Sequence, residues 1–401
     1  MSCFPFNFER LIKSEKDHVY FPNLNGLRFF AAFMVLYAHI KFFKHLYGVN
    51  EFKFPVQTEW GELGVTLFFV LSGFLITYLL LHEYKKFGTI QLRFFYMRRV
   101  LRIFPLYYLT VILAFFVLPH FLKIPHFSEY NPLFPNSENV DMLPSIDPQY
   151  YKKLGLFSVF LPNLSFVTYD LVPFASQLWS VGVEEQFYLF WPTLLLFFHK
   201  RLFPVLLIIA CGIAFLPYLV FPFIDLSIHP KLMILDKFLY FLRIDCMAIG
   251  GVMAYLLFNK KKSFLNLVYS KWFQWVVLLS VLYGLLFNVT LPHFHNQVYS
   301  VLFSILILNL ASNPKPIFNL EHSVFKYLGK ISYGLYIYNP LAIVLCINFC
   351  NAVFVSETLV YNILLFISSI TLTILFSAIS YKFFEEKFLT LKPKFSKILS
   401  N

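Results

Sequence analysis

The chain of 401 residues is 59% hydrophobic and only 13% charged, its formal net charge is +12, and its mean hydropathy is +0.67. Soluble domains carry about 25% charged residues, so this composition excludes an ordinary soluble protein and indicates an integral membrane protein. The five cysteines have no metal-ligand or redox spacing, so we expect no metal site and no essential disulfide.

Apolar runs of about 20 residues, long enough to cross a bilayer as a helix, recur along the whole sequence. They predict an all-α polytopic protein with about ten transmembrane helices, at 24-45, 61-82, 103-122, 178-199, 202-223, 236-258, 272-291, 296-312, 327-348 and 359-382. Residues 154-168 are also apolar, but Gly155, Pro162 and Asn163 interrupt them, so we expect a re-entrant or interfacial piece there. The Pro- and Asn-punctuated stretch 123-153 is expected to be an outward-facing loop.

Positive charge tests this arrangement independently. With the N-terminus in the cytoplasm, 24 of the 33 Lys and Arg residues fall on the cytoplasmic side. This asymmetry follows the positive-inside rule and predicts that both termini are cytoplasmic. It also explains the net charge without nucleic-acid binding. No cleavable signal or appended soluble domain is evident, so residues 1-401 are expected to form one membrane domain.

The first predicted span carries Arg28 and His39, which lie eleven positions apart. Eleven helical residues complete about three turns, so both side chains lie on one face, about 16 Å apart along the axis. An ionisable side chain inside a membrane helix indicates function by default.

Two further segments carry candidate residues. Ser72-Gly73 lies in the middle of the second span, where small residues let a ligand or another helix approach closely. Arg98, Arg99 and Arg102 follow at helical spacing, and their planar guanidinium groups suit phosphate oxygens. The alternative for Ser72-Gly73 is helix packing alone. The alternative for the three arginines is a role in membrane topology alone.

Intramembrane charge recurs in two later spans. Glu184 and Glu185 lie inside the span 178-199, and Glu184 reaches a depth comparable with that of His39, so the two could form a pair. A structural salt link is the alternative. Arg243 and Asp245 are two residues apart on a helix, so each is expected to need a different partner. Structural pairing and substrate contact both remain open for them.

Six segments occur in a fixed order: GLRFFAAFMVLYAH, GVTLFFVLSGF, FYMRRVLRIFP, WSVGVEEQFYLFWP, RIDCMAIGG and ISYGLYIYNP. Together they resemble the acyltransferase 3 family of integral membrane O-acyltransferases, which modify bacterial surface and exported carbohydrates with an acyl-coenzyme A donor. The resemblance extends from about residue 23 to about residue 388.

The resemblance implies a multi-pass protein of the cytoplasmic (inner) membrane that presents a cytoplasmic thioester to a hydroxyl of a carbohydrate or glycolipid acceptor. Acyl-coenzyme A, in the simplest case acetyl-coenzyme A, would be the co-substrate, with no permanently bound cofactor. We expect His39 to act as general base and Glu184 to orient its ring, because an imidazole titrates near neutral pH. The donor phosphates are expected to contact Arg28, Arg98, Arg99 and Arg102. The expected substrate contacts are Ser72, Trp179, Glu185, Arg243 and Asp245.

The chain departs from the family pattern at three places. Asn25 stands where the first segment commonly has Asp, and Asn339 stands where the ninth span commonly has His. The terminal element at 385-388 lacks its usual Pro. Any role of the ninth-span His therefore does not carry over to this chain, which leaves the acceptor open.

Two other functions remain possible from the sequence. One is a proton-coupled transporter or exporter of a carbohydrate or lipid-linked intermediate, with His39 and Glu184 as a proton relay. No inverted repeat supports it, and the basic residues gather at one predicted cytoplasmic mouth. The other is a catalytically silent membrane scaffold whose charges pair only structurally.

Overall fold

The computed structural model describes residues 18–49, 59–118, 149–169, 171–220, 224, 229–353, 358–395 and 399–400. Most of the expected loop 123-153 lies outside these ranges. In the described part the fold is helical apart from two-residue strands β1 (His18–Val19) and β2 (Leu399–Ser400), which pair in parallel. Both ends of the described chain therefore meet at one place in the fold.

The helices follow the predicted apolar runs. In chain order they are α1 (Leu24–Leu46), α2 (Glu59–Phe87), α3 (Leu92–Ile112), α4 (Tyr150–Ser158), α5 (Pro162–Thr168), α6 (Leu178–Phe198), α7 (Leu202–Val220), α8 (Pro230–Leu242), α9 (Ile244–Phe258), α10 (Lys262–Val268), α11 (Lys271–Leu286), α12 (His295–Ser312), α13 (Ser323–Lys330), α14 (Ser332–Val353), α15 (Leu359–Ser380) and α16 (Glu386–Leu389). A π-helical turn at Leu113–Val117 extends α3, and another at Tyr381–Glu385 links α15 to α16.

Seven helical stretches of the described chain are long and apolar enough to cross a membrane. The number is eight if α10 and α11, which meet at a 61° bend, form one span. One stretch, Leu178–Leu216, covers two predicted spans and has 39 residues, about twice the length that a bilayer needs. The predicted span 296-312 is helical, but α12 is not among the seven. Its buried residues include Asn296, Ser300 and Ser304, so polar side chains line its packed face. The count of ten spans stays a prediction.

The segment 154-168 does not form a spanning helix. Two short helices, α4 and α5, divide it, and Phe160 between them has a φ of 59°. The interruption expected at Pro162 is confirmed, since Pro162 is the first residue of α5. At this position a backbone N–H has no partner within the helix, so proline costs no hydrogen bond.

Helices α2 and α9 approach each other closely along small residues. A Cβ atom on Gly73 would lie 1.9 Å from the carbonyl oxygen of Met247, and one on Gly250 would lie 2.2 Å from that of Val70. Only glycine permits this backbone contact. The close approach expected at Ser72-Gly73 is therefore confirmed. Gly73 packs against α9, and its neighbour Ser72 faces a cavity.

The chain before α1 is anchored by Glu321. The Tyr20 hydroxyl and the Asn23 backbone N–H donate to its carboxylate at 2.5 and 2.6 Å. Burial raises the pKa of Glu321, but these hydrogen bonds outweigh burial and leave the pKa below its usual value. The anchor fixes residues Val19–Phe21 beside the first turns of α1.

Candidate active site

A cavity of about 1260 Å³, its open mouth included, lies among α1, α2, α3, α6 and α14. Apolar side chains of α2 form much of its wall. Its polar lining consists of Tyr20, Asn25, Arg28, Ser72, Arg99, Arg102, Ser180, Glu184, Tyr188, Ser332, Tyr333, Tyr336 and Lys392. Residues from six distant parts of the sequence thus meet in one space.

Three arginines give the cavity its positive charge. Arg28 donates to the Asn25 side-chain oxygen at 3.1 Å, a neutral partner. The guanidinium of Arg99 lies 5.1 Å from the ring centre of Tyr188, and its buried Nε has no hydrogen-bond partner. Within the described part of the chain, neither these two nor Arg102 forms an ion pair. Guanidinium groups left unpaired around a cavity are suited to an anionic ligand.

The carboxylate of Glu184 lies midway along this cavity. The Ser72 hydroxyl donates to Oε1 at 2.9 Å, and the Tyr188 hydroxyl donates to Oε2 at 2.8 Å. The two hydroxyl oxygens are 3.0 Å apart, so the three groups form a closed triangle. Glu184 also lies within electrostatic range of Arg102 and Arg99.

The expected pair of His39 and Glu184 does not form. His39 Nδ1 instead lies 2.5 Å from Oδ1 of Asn339 on α14. The amide nitrogen of Asn339 donates to the carbonyl oxygens of Leu335 and Tyr336, at 2.9 and 2.8 Å. These bonds fix Oδ1 as the acceptor, so Nδ1 of His39 carries the proton and Nε2 of the neutral ring has the free lone pair. Asn339, rather than Glu184, orients the imidazole.

Arg28 and His39 also differ in their surroundings. Along α1 the cavity wall includes Arg28 but not His39. Along α2 the wall runs from Leu79 to Val65, about 21 Å at the helical rise. It ends where α1 packs on Gly64, whose Cβ would lie 2.9 Å from a methyl carbon of Val35. Among the described residues, His39 therefore lies one helical turn beyond the far end of this cavity, and the lining that includes Arg28 does not extend to it.

Arg98 is turned away from the cavity. It donates to the carbonyl oxygen of Phe395 at 2.7 Å and lies 3.5 Å from a carboxylate oxygen of Glu83. Partners within the chain thus occupy the guanidinium that was expected to bind the donor. The physical reason is its position on α3: Arg99 and Arg102 share the cavity side, and Arg98 faces the C-terminal segment.

Two further candidates lie behind the cavity wall. Trp179 packs edge-on against Phe69, with ring centres 6.1 Å apart, and does not line the cavity. Glu185 has a buried carboxylate oxygen without a hydrogen-bond partner and lies within electrostatic range of Arg99. Neither residue has the expected position for direct contact with a substrate in the cavity.

Arg243 and Asp245 belong to a separate buried cluster. Arg243 forms an ion pair with Glu62 of α2, and Gln297 of α12 donates to Asp245 at 2.6 Å. The prediction of different partners is confirmed. Neighbouring helices supply partners for both groups, as the structural alternative expects, and neither residue lines the cavity. Arg243 also has a φ of 41°, which marks the break between α8 and α9.

Three features of the candidate site were missed from the sequence. Lys392 comes from the C-terminal segment, Asn339 holds His39, and Tyr188 holds Glu184. The spacing of Glu184 and Tyr188, four residues apart on one helix face, was a readable signal. No local pattern joins Lys392 to the arginines.

The fold and the cavity define a multi-pass membrane protein with an arginine-lined cavity between its helices. The chain belongs to the acyltransferase 3 family, because the family's acyltransferase domain profile matches residues 21–382. The family membership expected from the six segments is confirmed.

Two relatives of this chain are named O-acetyltransferases. The O-acetyltransferase OatA of Staphylococcus aureus is 28% identical over 403 aligned positions, which cover 94% of this chain and 58% of that protein. The peptidoglycan O-acetyltransferase OatA of Listeria monocytogenes is 29% identical over 181 positions, 45% of this chain and 25% of that protein. This chain therefore spans little more than half of the staphylococcal relative. No solved structure matches the chain significantly.

Proposed function

We propose that this protein is a membrane O-acyltransferase, in the simplest case an O-acetyltransferase, that moves an acyl group from acyl-coenzyme A to a hydroxyl of a carbohydrate or glycolipid. The observation that carries the proposal is the cavity lined by three guanidinium groups that form no ion pair with any described residue. The names of the O-acetyltransferase relatives support the reaction type and the cell-envelope acceptor.

The arginines are assigned to the donor. Coenzyme A carries a diphosphate and a further phosphate, and Arg28, Arg99 and Arg102 offer donors with the geometry that phosphate oxygens prefer. The cavity continues from these residues along α2 toward Val65, and its walls there are largely apolar. A pantetheine arm would follow this path with its thioester directed toward the far end. This orientation requires the basic mouth to face the cytoplasm, where acyl-coenzyme A is made, and we assign the protein to the cytoplasmic membrane.

His39 is assigned as the general base. The tautomer fixed by Asn339 leaves Nε2 as a proton acceptor, and no described residue donates a hydrogen bond to it. Nε2 takes the proton of the acceptor hydroxyl while the hydroxyl oxygen attacks the thioester carbonyl. The carbon–sulfur bond then breaks, and the leaving thiolate receives the proton from the imidazolium. The chemical step requires the thioester to reach beyond the Val65 end of the cavity, where α1 packs on Gly64.

Glu184 is assigned to the cavity rather than to the base. Its charge partly balances Arg99 and Arg102, and the hydroxyls of Ser72 and Tyr188 fix its direction. In this role it limits the repulsion among the arginines when the cavity holds no anion.

Two variants test the proposal. In membranes supplied with acetyl-coenzyme A, His39→Ala should abolish formation of O-acetyl esters on envelope glycans, read by mass spectrometry, while coenzyme A binding persists. Arg102→Gln should instead weaken coenzyme A binding about tenfold. Arg93→Gln is its control, since Arg93 is an exposed residue of the same helix. Full ester formation by His39→Ala would refute the assigned base, and coenzyme A affinity unchanged in Arg102→Gln would refute the donor site.

A further inference from the structure

The chain after α15 returns across the basic end of the cavity. It passes through α16 and then forms a short 3₁₀ turn at Lys392–Phe395. Lys392 of this turn lines the cavity together with Arg28, although 364 positions separate them in the sequence. The C-terminal segment therefore contributes a wall of the site.

Contacts with α3 hold the turn in place. Arg98 donates to the Phe395 carbonyl oxygen at 2.7 Å, and the Phe94 and Phe395 rings meet edge-on with centres 6.2 Å apart. Beyond the turn, β2 pairs with β1, and Val19 of β1 lines the same cavity together with the next two residues, Tyr20 and Phe21. Both terminal segments thus cover one end of the cavity as a unit.

Basic side chains gather at this end of the cavity. Lys392 lies within electrostatic range of Arg28, Arg99 and Arg102. Glu184 is the only carboxylate among the described lining residues. Basic side chains therefore outnumber carboxylates in the described lining, and their combined field would attract a polyanion.

We propose that Lys392 is a fourth phosphate ligand of the acyl donor, and that the Lys392–Phe395 turn, fastened by Arg98, forms the cover of the donor site. This inference rests on the proposed donor binding and adds to it the residue and the segment that retain the donor. Arg98 is a positioning residue here, because it acts through the Phe395 carbonyl and does not line the cavity.

The test compares two lysines of the same turn. Lys394 is exposed, and Lys392 lines the cavity, so Lys394→Gln is a matched control for Lys392→Gln. Binding of coenzyme A and of pantetheine, which has no phosphate, is measured on the purified full-length protein in detergent at several salt concentrations. We expect Lys392→Gln to weaken coenzyme A binding about tenfold and to reduce its salt dependence. Pantetheine binding should not change, and Lys392→Arg should restore coenzyme A affinity.

The positioning role is tested by dissociation kinetics. Arg98→Ala should speed coenzyme A release severalfold, and Arg98→Lys, which can still donate to the carbonyl, should restore slow release. Coenzyme A binding by Lys392→Gln that equals the wild type would overturn the inference while leaving the donor proposal intact. The wild type could instead bind inorganic diphosphate but not coenzyme A. If Lys392→Gln then weakens diphosphate binding, Lys392 is a phosphate ligand but the assignment of coenzyme A as donor is wrong. Binding of neither ligand by the wild type would overturn both.

Discussion

The contact between His39 and Asn339 shows how one neutral side chain can set the chemistry of another. The amide nitrogen of Asn339 donates to two backbone carbonyl oxygens, and the amide oxygen accepts from Nδ1 of His39. Because this oxygen carries no full charge, it selects a tautomer without stabilising the imidazolium strongly. The departure from the family pattern at this position thus bears on the base as well as on the acceptor.

Replacement of Asn339 by Asp tests whether the neutral amide keeps His39 in the form that accepts a proton. A carboxylate at Oδ1 would favour the protonated imidazole, which cannot act as a base. We therefore expect the acidic limb of the kcat/KM profile to move to higher pH in Asn339→Asp. Asn339→Leu should lower kcat at every pH, because nothing then selects the tautomer. Coincident pH profiles of wild type and Asn339→Asp would contradict the contact's proposed role.

Asn25 is the second departure with a physical consequence. Its side-chain oxygen is the hydrogen-bond acceptor for Arg28, and it leaves the guanidinium charge uncompensated. An Asp at this position would form an ion pair with Arg28 and compete with an anionic ligand.

We accordingly expect Asn25→Asp to weaken coenzyme A binding threefold to tenfold, a change of about 1 kcal/mol, with less effect at high salt. The neutral variant Asn25→Ser is the control, and isothermal titration of the two proteins gives the comparison. Equal affinities would mean that Arg28 contributes little to donor binding.

At the scale of elements, α2 has two functions. One face packs against α9 through glycines, and the opposite face lines the cavity over Val65–Leu79. The position of Ser72 and Glu184 therefore depends on how closely α2 and α9 approach.

Gly73→Ala should separate these helices. The added Cβ would meet backbone that cannot rotate away, so we expect a loss of about 1–3 kcal/mol or more in the free energy of unfolding. Thermal unfolding in detergent measures the effect. Gly155→Ala serves as control, because its Cβ meets nothing within 4 Å and its stability should not fall. Similar melting temperatures for the two variants would argue against a tight contact.

At the scale of the whole molecule, the pairing of β1 with β2 brings both ends of the described chain to the same end of the bundle as Arg28 and Lys392. The charge distribution of the sequence predicts that this end faces the cytoplasm. The prediction of ten spans with both termini inside requires an even number of crossings.

A topology experiment checks this directly. Reporter fusions after Lys86 and after Phe395 should both behave as cytoplasmic, with fluorescent GFP and inactive alkaline phosphatase. A fusion after Tyr151 should show the reverse pattern. An active phosphatase after Phe395 would exclude the predicted orientation and would place the basic cavity on the wrong side for a cytoplasmic donor.

The sequence by itself determined the membrane class, the helical runs and the family, because apolar length and local charge need no tertiary partner to be read. It also identified Arg28, Arg99, Arg102, Ser72 and Glu184, which the fold brings to one cavity. These residues lie on helix faces whose direction follows from the helical period.

Only the tertiary structure decided which groups meet across helices. Packing between the helices sets the rotation and the depth of each helix. As a result His39 contacts Asn339, Arg98 donates to the Phe395 carbonyl oxygen, and Arg243 pairs with Glu62. Lys392 entered the site from the far end of the chain. The partners of a side chain on other helices depend on interhelical packing, which local spacing does not encode. For this reason Arg28 and His39 lie on one face of α1, but only Arg28 lines the described cavity.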